Sequence, residues 1–141
     1  MNFSADERAI LARLADVLIP AGDGFPSASE AGVAAEGLDQ VLAFRPDLAE
    51  GLKKLLASAC GRSPDELVAA LQRNDPAAFG ILAELVPGAY FLNAAVRAKL
   101  GYEGQTAKPI DPHLDALDDA LLESVIRRGP VYRATPSRTE S

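Results

Sequence analysis

Leu18-Ile19-Pro20-Ala21-Gly22-Asp23-Gly24-Phe25-Pro26-Ser27-Ala28-Ser29-Glu30-Ala31-Gly32-Val33 is the stretch from which the rest of the chain is read. Pro20 and Pro26, with Gly22, Asp23 and Gly24 between them, interrupt sequence that reads as helix on both sides. Proline and glycine at this density specify turns with defined backbone angles. The aliphatic entry Leu18-Ile19 and the exit Ser29-Glu30-Ala31-Gly32-Val33 predict a loop that is ordered, with Gly22, Gly24, Ser29 and Glu30 shaping it. Irregular connections of this length inside a compact domain usually carry function.

Upstream of the loop, Ser4 and Glu7 have the spacing of a capping box, and Ile10, Leu11, Leu14, Val17 and Leu18 follow as one apolar stripe. That predicts a first helix stopped by Pro20. Downstream, Ser29-Glu30 predicts the start of a second helix that turns Val33, Leu38, Val41 and Leu42 inward, with Phe44 near its end. Arg45-Pro46 restarts the chain, and Leu48, Leu52, Leu55 and Leu56 mark a third helix closed by Gly61. Ser63-Pro64-Asp65-Glu66 has the cap, proline and acidic first turn of a fourth start. Asp75-Pro76 opens a fifth helix through Phe79, Leu82 and Leu85, which Pro87-Gly88 is expected to kink or break. Asn93 caps a short helix with Val96 and Leu100, ended by Gly101. Leu114, Leu117, Leu121, Leu122, Val125 and Ile126 define a last one. Alternating β-branched runs are almost absent. The prediction is an all-α, single-domain bundle of six or seven short helices over residues 1–133, with a flexible tail at 134–141.

Composition narrows the function. With 48% apolar and 24% charged residues the chain is globular rather than disordered, and its net charge of −6 argues against binding phosphate backbones without sequence specificity. No nucleic-acid partner is expected. The longest apolar stretch, around Leu85 to Leu92, is far short of a bilayer span, and charges at Asp6, Glu7, Arg8, Arg13 and Asp16 fill the place of a signal peptide's apolar core. The expectation is a chain without direct membrane insertion, cytoplasmic as it stands. A periplasmic location follows only if a signal is removed or supplied by a partner. Cys60 is the sole cysteine, which leaves no intrachain disulfide and no cysteine-built zinc site, and its apolar neighbours predict a buried thiol.

Reactive constellations are weak. Asp111, His113 and Asp115 surround the only histidine, but Asp111-Pro112 reads first as a helix start. Asp16, Asp23 and Glu30 could converge as an acid/base set. The simpler reading gives each carboxylate a local role: Asp16 solvated on its helix, Asp23 bonded to its own turn, Glu30 in a helix first turn. Tyr90, Phe91 and Tyr102 with Arg97 have the composition of protein-interface anchors, and core packing accounts for the aromatics equally well.

Two segments resemble the gluconate 2-dehydrogenase subunit 3-like family. They are Leu14-Ala15-Asp16 through Leu18-Ile19-Pro20-Ala21 to Pro26-Ser27-Ala28-Ser29-Glu30-Ala31-Gly32-Val33, and Tyr90-Phe91-Leu92-Asn93 with Val96-Arg97-Ala98-Lys99-Leu100-Gly101-Tyr102 and Gly104-Gln105. The resemblance spans about residues 8 to 105. Ser27 stands where the family pattern has glycine, and the twin-arginine leader of many relatives is not found. The resemblance implies a small helical subunit, not an enzyme on its own, that binds, stabilises or helps export a large FAD-dependent sugar or alcohol dehydrogenase of the glucose-methanol-choline type. FAD would reside in that partner, and a cytochrome c subunit accompanies some relatives. The chain itself is expected to hold no catalytic, cofactor or metal site. Pro20, Asp23, Phe25, Pro26, Tyr90, Arg97 and Tyr102 are the expected partner contacts. The alternative is a free-standing helical chaperone or interaction protein that meets its client transiently.

Overall fold

A computed structural model describes residues 2–102, 104, 105, 122–129 and 131. The chain forms two compact units, Met1–Gly104 and Gln105–Ser141. The first is the all-α bundle that the apolar spacing predicts. It comprises α1 (Ala5–Leu18), a wide turn with π-type bonding (Val33–Gly37), α2 (Leu38–Phe44), α3 (Leu48–Ser58), α4 (Pro64–Asn74), α5 (Pro76–Leu92) and α6 (Ala94–Lys99). Among the described residues no strand forms, and Gly22 and Phe25 make an isolated bridge. In the second unit residues 122–128 are helical and Arg127 pairs with Glu123 one turn earlier. The expected helix start around Asp111 and His113 and the tail at 134–141 lie outside the described residues.

Helix starts follow their local signals. Ser4 Oγ accepts the Glu7 amide while the Glu7 carboxylate accepts the Ser4 amide, so two otherwise orphaned donors are satisfied. Asp75 caps α5 through the Ala78 amide, and Asn93 caps α6 through the amides of Ala95 and Val96. Gly61, with φ +74°, ends the turn after α3. The start of α4 is only partly as expected: Pro64 occupies the first turn, but the Ser63 side chain makes no cap bond.

Two boundaries differ. The second helix does not begin at Ser29-Glu30; those residues lie in turns, and α2 is reached only after the wide turn, which is kinked at Ala35 (φ −101°, ψ −108°). The Ala34 and Ala35 carbonyls at the kink accept hydrogen bonds from α1. Arg8 on α1 donates to both, at 3.0 and 2.7 Å, and pairs with Asp39 on α2. The second difference is Pro87, which does not break the chain into two helices: α5 continues through it to Leu92. Proline removes one amide bond, to the carbonyl of Ala83. Ala83 is exposed, so water can replace it. Leu82, Leu85, Val86, Ala89 and Tyr90 are buried on both sides of the proline and hold the helix in place.

α5 is the central element, packing on α2, α3, α4, α6 and the wide turn, while α1 closes the bundle against α3 and α4. Leu11, Leu14, Leu38, Leu52, Leu56, Leu67 and Val96 meet the α5 side chains in a core where each is essentially inaccessible. Full burial of such a side chain contributes about 1.5–3 kcal/mol. Cys60 is exposed, contrary to the expected burial. It lies beyond the last turn of α3, where Ala59 rather than the cysteine faces the core.

Candidate functional site: a braced loop beside two grooves

The connection from α1 to the wide turn is ordered residue by residue. Asp23 (φ +50°) and Gly24 (φ +79°) both take positive φ, and the amides and carbonyls of Gly22 and Phe25 bond reciprocally. This is the tight turn for which an Asp-Gly pair is suited. Asp23 serves here through its backbone angle.

The next turn, over residues 27–32, is closed at both ends. Ser27 Oγ accepts the Glu30 amide and the Glu30 carboxylate accepts the Ser27 amide, a capping box on Ser27 rather than Ser29. At the far end the Val33 amide bonds to the Ala28 carbonyl and the Gly32 amide to that of Ser29, with Gly32 at φ +75°. That pairing is a Schellman closure, which needs a residue tolerant of left-handed backbone. Glu30 thus shapes the loop as expected, with Ser27 as its partner.

Helices on either side brace the loop. The Asp16 carboxylate on α1 accepts the amide and hydroxyl of Ser29, each at 2.7 Å. Partial burial alone would raise the Asp16 pKa. The side-chain and backbone hydrogen bonds from Ser29, with that from Ser27, outweigh it and hold the carboxyl below its ordinary range. Asp16 is therefore a tether, not merely a solvated helix residue. On α5, Tyr90 donates its hydroxyl to the Pro26 carbonyl at 2.7 Å. Asn93, which caps α6 with its oxygen, uses its nitrogen to reach the Ala31 carbonyl at 2.9 Å. Lys99 on α6 bonds to the Gly24 carbonyl at the loop tip.

The expected contact residues divide accordingly. Pro20 and Asp23 are exposed, Phe25, Pro26 and Arg97 are half-buried, and Tyr102 is 53% exposed. Tyr90 differs from expectation: at 4% exposure, it packs in the core and touches the loop from beneath. Its neighbour Phe91, set edge-to-face against it, is the ring that points outward. Asp16 and Glu30 do approach the same turn, but both carboxylates are engaged with backbone amides, as capping groups rather than an acid/base pair. No cluster of metal-ligating side chains occurs among the described residues, and none of their helices is long and apolar enough to cross a membrane.

Beside the loop lie two open grooves. One, of about 550 Å³, runs between the wide turn and α2 on one wall and the α5–α6 junction on the other. The second, of about 360 Å³, is formed by α6 with Gly101 and Tyr102, and Arg97 lines both. The larger groove was not predicted, because Glu36 and Gln40 come to line one groove with the α5–α6 junction only through the fold. Compared with protein-family models, curated proteins and solved structures, the chain matches none.

Proposed function

We propose that this chain is a non-catalytic small subunit that docks on, and stabilises, an FAD-dependent sugar or alcohol dehydrogenase of the glucose-methanol-choline type. The observation that carries the docking part of this reading is the bracing of the loop from α1, α5 and α6. A loop held in one conformation before it meets a partner loses little entropy on binding. The carboxylates of Asp16 on α1 and of Glu30 within the loop are engaged in holding that conformation rather than left free for chemistry. The loop tip and the outward faces of Phe91 and Tyr102 supply the rigid turn and aromatic surface that protein interfaces use. The identity of the partner rests on the resemblance of residues 8–105 to the gluconate 2-dehydrogenase subunit 3-like family.

The test is co-expression with a glucose-methanol-choline type flavoprotein from the same organism. The reading predicts co-elution with flavin absorbance at fixed stoichiometry, with an interface upward of roughly 2,000 Å². A chain that elutes alone, with the flavoprotein equally soluble and active without it, contradicts the reading. Association during synthesis that is lost from the active enzyme would mark a transient chaperone instead.

A further inference from the structure

The two ends of α6 are attached to different parts of the loop. At its start, Asn93 caps the helix with its oxygen and holds the Ala31 carbonyl with its nitrogen, and Val96 is fully buried. Beyond Val96 burial stops: Arg97 is half-buried and residues 98–102 are exposed. The last turn closes on backbone bonds alone, from Leu100 to Val96 and from Tyr102 to Arg97, with Gly101 at φ +67°. So short a stretch does not keep helical form by itself.

The loop tip is equally poor in burial. Pro20, Ala21, Gly22, Asp23 and Gly24 are all exposed, and the backbone bonds made within the tip are the reciprocal pair between Gly22 and Phe25. An isolated hairpin is marginal in water. Among the described residues, one side chain from outside the loop bonds to the tip: Lys99, at the end of α6, donates to the Gly24 carbonyl. The rest of the loop differs. Ser27, Ala28, Ala31 and Val33 are buried, and Asp16, Tyr90 and Asn93 hold that part from α1 and the end of α5.

We infer that the loop tip (20–25) and the last turn of α6 (97–102) are one conformational unit, latched by Lys99, that opens and closes as a whole about Asn93 and Val96. Each half lacks buried side chains, so each keeps its form only while the other is in place. A lysine suits such a latch. Its ammonium makes a charge-assisted bond at the end of a flexible stem, and releasing it disturbs nothing in the core. The fixed part of the loop stays closed when the latch opens, because its ties run elsewhere. Pro20, Asp23, Arg97 and Tyr102 then belong to one movable surface. Contact with either half favours the closed form of both, since linked equilibria are reciprocal. The latch goes beyond the subunit reading and holds whatever the partner is.

The test compares amide exchange, taken relative to the intrinsic rate of each site, in the wild type and in variants at exposed positions. Gly24→Ala strains the tip, where φ is +79° and the new Cβ meets nothing within 4 Å. Ala98→Gly loosens the last turn of α6. Each is expected to lower protection about fivefold in its own half and by the same factor in the other, read at Gly22 and Phe25 in the tip and at Leu100 and Tyr102 in α6. Val33 in the fixed part and Phe79 at the start of α5 are expected to change less than about twofold. Lys99→Met keeps the stem and removes the ammonium. In that background Gly24→Ala is expected to leave Leu100 and Tyr102 within about twofold. If Gly24→Ala does not fold by circular dichroism, Pro20→Ala, which frees the backbone of the tip, takes its place. Effects confined to the substituted half overturn the inference, as do crossed effects that survive Lys99→Met. Exchange at the unfolded rate at Gly22 or Leu100 in the wild type overturns it as well. So does an equal loss at Val33 and Phe79, since the whole bundle rather than a latched unit would then be opening.

Discussion

The Tyr90 hydroxyl is the only part of that side chain with a task outside the core: it satisfies the Pro26 carbonyl from beneath the loop. Tyr90→Phe keeps the ring packing and removes that donor. It is expected to cost about 1 kcal/mol, read as a lower urea midpoint with unchanged slope. Asp16 gives the same tether a pH dependence. The folded state lowers its pKa below the ordinary value of an aspartate, so the folded state binds fewer protons than the unfolded. Its contribution is complete above the unfolded value and fades as pH falls through the lower folded one. Protection of the Ser29 amide, taken relative to its intrinsic exchange rate at each pH, should fall below about pH 4 in the wild type. In Asp16→Asn that protection should already be low at neutral pH, with little further loss in acid. Equal acid sensitivity in both proteins would refute the tether.

Within elements, glycines with different neighbours should respond oppositely to a methyl group. At Gly37 the new Cβ meets, at 3.0 Å, the Ala89 Cβ of the packed α5 and, at 3.3 Å, the Gly32 carbonyl that the Gly37 amide itself holds. Gly37→Ala is expected to destabilise by about 1–3 kcal/mol. At Gly51, inside α3, the obstacle is the terminal methyl of half-buried Ile81, which can rotate into the groove beside it. There the gain in helix propensity, up to about 1 kcal/mol, should leave Gly51→Ala neutral or stabilised in thermal melting. The elements themselves were legible wherever the signal was local: Ser4 with Glu7, Asp75-Pro76, Asn93, Gly61. Two local signals misled because packing overrode them. Pro87 is a strong breaker in isolation, yet buried residues on both sides keep α5 intact. Ser29-Glu30 has the composition of a helix start, but the partner that closes the box with Glu30 is Ser27.

Across the whole molecule, what the sequence could not display is convergence. Asp16 and Ser29 are 13 residues apart, Asn93 and Ala31 are 62, and Tyr90 and Pro26 are 64. No periodicity reports such pairings, and the groove around Arg97 is equally invisible because α2 and α6 build it together. The loop's composition announced order; only the fold reveals that α1, α5 and α6 impose it. The central claim is that the loop is fixed before any partner arrives. Hydrogen exchange of the isolated chain tests it most directly, read at Ala28, Ala31, Gly32 and Val33, whose amides all bond within the loop or to Ile19. The account predicts protection comparable to the ends of α1 and α5 in the free protein, deepening when the flavoprotein subunit is added. Exchange at the rate of an unfolded peptide in the free chain would contradict it.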